Sequence, residues 1–263
     1  FILIPPFSAF PEVCHFSPYM LHCFHYEQTE VYMVSTEFTS ITFFQKKKDI
    51  TLYRAADEAH RYILKSIITK DAAVRQAFCD EYETLSALRH PSIPVYYWLR
   101  EDYRLPGQEE GALTLCMEDC SRPAPEKPLS IQELCRILYQ TARVLAYLLE
   151  HGVLYTDLNP SNLIISRCRE DYAVTLVDYT YCYYFLRNPY PMYQLRFSYD
   201  VSPNLKGQQF LIQELTYLLY DLMEENHIEA LPSLVYQLLE TGRHPSEELS
   251  LYDFQEMLRR CGA

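Results

Sequence analysis

Two charged residues stand where the pattern of the sequence asks for apolar ones. Lys65 lies in Tyr62-Ile63-Leu64-Lys65-Ser66-Ile67, on the strand face shared by Ile63 and Ile67, because side chains alternate across a strand. Glu81 falls in the series Val74, Phe78, Glu81, Leu85 and Leu88, the alternating three- and four-residue spacing of one helix face. An unpaired charge on either surface would cost several kcal/mol of desolvation, so each residue calls for the other as a partner. Taken alone, such an ion pair is compatible with a purely structural role. Downstream, however, Asp157 follows the apolar run Val153-Leu154, and Asn162 lies five residues further on. Asp178 ends the apolar run Val174-Thr175-Leu176-Val177. Carboxylate and amide oxygens are the hard donors that Mg²⁺ prefers, and a carboxylate beside them can orient a hydroxyl nucleophile.

The elements that would position these groups follow from periodicity. Alternation predicts strands over Ile41 to Phe44, Ile50 to Ala55 and Arg61 to Ile68, with a lysine-rich tip at Lys46 to Lys48, a three-strand meander. Asp71 is placed to cap a helix carrying Val74 to Leu88 and ending at His90-Pro91. Further strands include Ala112 to Met117, followed by a proline-rich crossing from Ser121 to Pro128. Ser130-x-x-Glu133 is a capping box, and it opens an apolar helix that runs to His151 and stops at Gly152. Beyond it, a hairpin around Leu163 and Val174 gives way to loop and helix, the last helices being near Leu231 to Glu240 and Leu251 to Arg259. This is an α+β chain: an irregular arm over 1–38, a small sheet-rich lobe over 39–118 and a larger helical lobe over 119–263, hinged near 118–128.

Composition narrows the function classes. At 263 residues and 49% hydrophobic, the chain has enough material for a real core. Its net charge of −12 argues against nucleic acid as a main partner. No apolar stretch reaches the roughly 18 residues of a membrane span. Nine cysteines scattered without a repeating C-x-x-C pattern suit reduced thiols in the cytoplasm better than a disulfide framework. Cys14, His15, His22, Cys23 and His25 match no standard zinc spacing. The duller expectation for the first 32 residues is an irregular arm, or translated sequence upstream of a start at Met33. Most unusual is the presence of only 6 Gly beside 24 Tyr, where average usage would supply roughly 18 glycines.

The order of these parts resembles the protein kinase superfamily, of a divergent bacterial Ser/Thr-kinase-like or pseudokinase type. Its signature is a strand lysine, a helix glutamate, a catalytic loop H-R-D-L-x-x-x-N and a later D-F-G. The resemblance spans about residues 39 to 260 and implies a bilobal fold: a small antiparallel-sheet lobe with one helix and a mainly helical second lobe. It also implies ATP and Mg²⁺, with Mn²⁺ as an alternative ion, and a protein substrate or signalling partner. Lys65 would sit on the phosphates and be held by Glu81. Asp157 would steer the substrate hydroxyl, and Asn162 and Asp178 would hold the metal. Leu52, Ile63, Met117, Glu118, Cys120 and Ile164 would surround the adenine.

The departures from that signature are specific. The glycine-rich loop falls on Gln45-Lys46-Lys47-Lys48-Asp49-Ile50, which holds no glycine, so side chains obstruct the approach of backbone amides to phosphate. Lysines there could hold phosphate by charge, although a lysine tip is more often simply solvated. Ile63 replaces a small residue and narrows the adenine space. Tyr155-Thr156 replace H-R, Asn159 replaces a lysine, and D-F-G reads Asp178-Tyr179-Thr180. A-P-E reads Ser202-Pro203-Asn204, and seven tyrosines lie between Asp178 and Pro203, expected as a packed segment. Three functions compete: an active ATP-dependent protein kinase, a pseudokinase that binds without transfer, and, last, a small-molecule phosphotransferase.

Overall fold

A computed structural model describes residues 38–184 and 205–263, apart from residues 48, 127, 169–170, 181 and 247. Strands β1 (Ser40–Lys47), β2 (Ile50–Ala56) and β3 (Arg61–Ile67) form the expected meander. Helix α1 (Ala72–Leu85) follows, then β4 (Tyr96–Tyr103) and β5 (Ala112–Glu118). All five strands make one antiparallel sheet in the order β1-β2-β3-β5-β4, so the strand bearing Lys65 is central. Directly opposed residues share a face. Leu52 pairs with Lys65 and Lys65 with Leu115, while Ile63 pairs with Met117. Leu52, Ile63, Lys65 and Met117 therefore line one side of the sheet, and Tyr53, Tyr62, Leu64 and Cys116 the other.

Helix α1 begins as its sequence demands, with Asp71 accepting the Ala73 N–H at 2.8 Å. It stops one turn early, at Leu85, whereas the apolar spacing carries the stripe to Leu88. Beyond Leu85 the chain closes shorter turns, Ala87 N–H to Thr84 O and Leu88 N–H to Leu85 O. Arg89 then donates to the carbonyls of Ser86 and Leu88 at 2.6 and 2.7 Å, answering acceptors that another helical turn would have used.

The second lobe is built on α2 (Ile131–Glu150), whose capping box forms with Ser130 and Glu133 each bonded to the other's backbone. Leu134, Ile137, Leu138, Val144, Leu145 and Leu148 of this helix are fully buried. Their burial, at roughly 1.5–3 kcal/mol each, organises the lobe. Gly152 turns the chain at φ +77°, a left-handed conformation that a side chain would oppose, and admits β6 (Val153–Leu154). A short 3₁₀ turn over Pro160–Asn162 leads into the hairpin of β7 (Leu163–Cys168) and β8 (Asp171–Leu176). Next, β9 (Tyr183–Tyr184) pairs with β6. Three helices follow: α3 (Leu205–Glu225), α4 (Ser233–Arg243) and α5 (Leu251–Cys261). The last two run a few residues beyond their expected ends, and α4 starts only after Pro232, whose ring disfavours a helical backbone at the residue before it. The zinc-ligand candidates, Ser202-Pro203-Asn204 and most of the tyrosine-rich segment lie outside the described residues.

Candidate active site

The two misplaced charges of the sequence do find each other. Lys65 on β3 donates to both carboxylate oxygens of Glu81 on α1, at 3.2 and 3.0 Å, and Lys65 and Glu81 are 2% and 0% exposed. The helix stripe that looked faulty at Glu81 is thus completed by a charge from the sheet. Glu81 takes two further donors, the Tyr96 hydroxyl at 3.0 Å and the Thr180 hydroxyl at 2.9 Å. A buried carboxylate with four hydrogen bonds has its desolvation offset by good geometry.

Lys65 also reaches Asp178, donating to Oδ1 at 3.1 Å. Burial alone would lower the Lys65 pKa, but the negative charges of Glu81 and then Asp178 outweigh it and the net shift is upward. The same ammonium depresses the Asp178 carboxyl below its ordinary value, against the opposing effect of burial. Lys47, at the end of β1, faces the other oxygen of Asp178 at 3.9 Å. The backbone of Asp178 is left-handed, φ +62°, a conformation that Asp and Asn adopt more readily than most residues. The carbonyl just before it, that of Val177, accepts the hydroxyl of buried Tyr155. The Tyr155 ring packs edge-on against Tyr179 at 5.2 Å.

A second cluster surrounds Asp157. Asn162 donates to the Asp157 carbonyl and to Oδ2, both at 2.9 Å. Asn159 donates to the same carbonyl at 3.0 Å and to Oδ1 at 3.2 Å. Both carboxylate oxygens of Asp157 are therefore oriented by amide groups. With Nδ2 of Asn162 turned to Asp157, its acceptor oxygen lies on the opposite side of the amide. The two clusters are joined through backbone, Val177 N–H donating to Asn162 O at 3.0 Å.

The remaining residues lie as follows. Leu52, Ile63 and Met117 share the Lys65 face of the sheet. Glu118 and Cys120 sit where the sheet ends, with Glu118 N–H bonded to Val95 O and Asp119 N–H to Arg61 O. Burial pushes the Cys120 thiol up to about 12, so it is not a nucleophile near neutral pH. Ile164 stands on β7, in a separate two-stranded sheet. Sequence reading missed Tyr96, which no spacing connects to Glu81, and treated Thr180 as a lost glycine.

A twisted antiparallel sheet with one helix, joined to a helical lobe that carries the Asp157 and Asp178 loops, is the protein kinase fold. The chain belongs to the protein kinase family: residues 49–200 match the protein kinase domain. It is 27% identical over 151 residues to a protein of Arabidopsis thaliana described as a probable inactive receptor kinase, a stretch that covers 53% of this chain and 14% of that relative. The chain thus spans about a seventh of the relative's length. Its fold matches the crystal structure of the Mycobacterium tuberculosis PknI kinase domain, at a TM-score of 0.57 and 18% identity, over 86% of this chain and 97% of that one. A double mutant of the same domain matches at 0.58. Among the described residues, no helix is long and apolar enough to cross a membrane.

Proposed function

We propose that this domain binds ATP with Mg²⁺ and transfers the γ-phosphate to Ser or Thr hydroxyls of a protein. The observation that carries the reading is the Lys65 ammonium, buried and fixed between Glu81 and Asp178. A lysine ordered in this way presents its charge to nucleotide phosphates at no further entropic cost. The donor set suits the group it would hold: the Asp178 carboxylate and the acceptor oxygen of Asn162 are hard oxygen ligands. When bound, Mg²⁺ neutralises charge on the phosphate oxygens. Asp157, held by Asn159 and Asn162, orients the substrate hydroxyl and takes up its proton. Leu52, Ile63, Met117 and Ile164 enclose the adenine, with Glu118 and Cys120 supplying backbone groups at its edge. Residues 39–118 and 119–263 act as the two lobes, and the seven described cysteines, all free thiols, suit the cytoplasm.

A second reading, nucleotide binding without transfer, is favoured by the loop over Gln45 to Ile50, which lacks every glycine of the family pattern. The description of the Arabidopsis relative points the same way.

The test is a thermal-shift titration with ATP and Mg²⁺, followed by transfer of labelled γ-phosphate to a mixed protein substrate, run beside Asp157→Asn. Stabilisation by ATP with transfer that Asp157→Asn abolishes is the expected result. Stabilisation without transfer by the parent protein would establish the second reading in its place, and absence of any ATP-dependent stabilisation would overturn both.

A further inference from the structure

We infer that Lys47 is a phosphate-binding residue of this site, its ammonium supplying the positive charge that a glycine-rich loop would supply through backbone amides. The inference rests on the nucleotide reading above and adds to it a residue that the family pattern does not contain.

Three observations carry it. The first is register. Lys47 pairs with Ile50, and Gln45 with Leu52, whereas Lys46 pairs with Thr51. Alternation then puts Lys47 on the side of the sheet that holds Leu52, Ile63 and Lys65, and Lys46 on the opposite side. The second is position. Lys47 Nζ lies 3.9 Å from Asp178 Oδ2, while Lys65 Nζ lies 3.1 Å from Oδ1. Two ammonium groups thus bracket one carboxylate, one on each oxygen, and a polyphosphate brought to this carboxylate by a metal ion meets both. The third is charge. Lys65, Glu81 and Asp178 together leave one negative charge, which would repel a nucleotide; Lys47 cancels it. With its side chain 61% exposed, Lys47 is not part of the core and is free to exchange Asp178 for phosphate.

The hairpin itself explains why a side chain is needed. Pairing persists out to Lys47 and Ile50, so the ladder runs well into the segment that a glycine-rich loop would occupy. Every residue from Gln45 to Ile50 bears a Cβ, which holds the backbone away from a ligand.

The experiment measures ATP and adenosine binding by calorimetry, in the presence of Mg²⁺, for the parent protein and for Lys47→Ala, Lys47→Arg and Lys46→Ala. Loss of the Lys47 contact should weaken ATP binding roughly tenfold and leave adenosine binding unchanged. Lys47→Arg should retain most of the ATP affinity, and Lys46→Ala should retain all of it. Because the Lys47 side chain is largely exposed, the variant keeps its fold, which a matched melting temperature checks. If the parent binds ATP and Lys47→Ala binds it equally well, or if Lys46→Ala loses as much, the assignment of Lys47 is wrong while the nucleotide reading stands. Failure of the parent to bind ATP overturns the nucleotide reading and this assignment with it.

Discussion

The hydroxyl of Thr180 donates to Oε2 of Glu81 at 2.9 Å, across 99 residues of sequence. The resemblance read from the sequence would put a glycine at its position, whose loss alone would mean only a stiffer hinge. Here the replacement ties the loop after Asp178 to helix α1, through the same carboxylate that holds Lys65. Loop and helix become parts of one hydrogen-bonded unit, and the sheet joins them through Tyr96.

Thr180→Gly should therefore destabilise the domain, although it restores the family residue. The variant removes a hydrogen bond to a buried charged group and adds backbone freedom to the unfolded chain, a loss of about 2 kcal/mol. Thr180→Ser keeps the hydroxyl and should lose less than half as much. Urea denaturation at neutral pH checks both, and a Thr180→Gly variant as stable as the parent would remove the tie.

Lys65→Met should cost about 3–5 kcal/mol, because Glu81 is left buried and charged with only two hydroxyl donors. The double variant Lys65→Met with Glu81→Gln removes both charges and keeps an acceptor for Tyr96 and Thr180, so it should recover at least half of that loss. Recovery is read from the same denaturation series, and its absence would mean that Glu81 is not the group left uncompensated.

The meander, the α1 stripe, the capping box and the β7–β8 hairpin are legible in the sequence because each is set by local alternation, helical spacing or a cap. The Lys65–Glu81 pair is legible for a different reason: two charges each violated a local pattern, and one contact removes both violations. Other features have no local signature. Helix α1 ends at Leu85 because Arg89 reaches back to two carbonyls, although the apolar spacing continues. Tyr96 bonds Glu81 across 15 residues, from a strand whose register is set by β5. The β6–β9 ladder joins only two residues on each side, too few for alternation to register.

Tyr179→Phe should stabilise the domain. The Tyr179 ring is fully buried and its hydroxyl has no hydrogen-bond partner among the described residues, so removing it relieves about 1–3 kcal/mol of uncompensated desolvation. The edge-on contact with Tyr155 survives in Phe. A rise in melting temperature of a few degrees is the expected readout, and a fall would reveal a partner for the hydroxyl.

Stability should decline on acidification between pH 6.5 and about 4 because of His90. Burial, aided by the Arg143 charge, lowers its pKa from 6.5 to about 4, and its neutral Nδ1 accepts the Ser92 N–H at 3.1 Å. Within that window the unfolded chain takes up a proton that the folded one refuses, so falling pH favours unfolding. His90→Asn keeps an acceptor without titrating, and it should flatten the profile of melting temperature against pH over this range.

Substitutions at Asp178 separate its charge from its backbone. At φ +62° an alanine is strained by about 1 kcal/mol where glycine is not. Asp178→Ala should therefore be less stable than Asp178→Gly by about that amount, the reverse of the usual order. Asp178→Asn tolerates the left-handed backbone and still accepts from Lys65, so it should be the most stable of the three. It should be less stable than the parent at neutral pH and converge with it in acid, because the depressed carboxyl of Asp178 contributes stability above its ordinary value of 3.8 that is lost as pH falls through the folded value. Denaturation of all three variants at neutral pH, and of Asp178→Asn against the parent below pH 4, checks both effects. An Asp178→Ala variant more stable than Asp178→Gly would show that this backbone relaxes, and Asp178→Asn would then no longer isolate the role of the charge in binding.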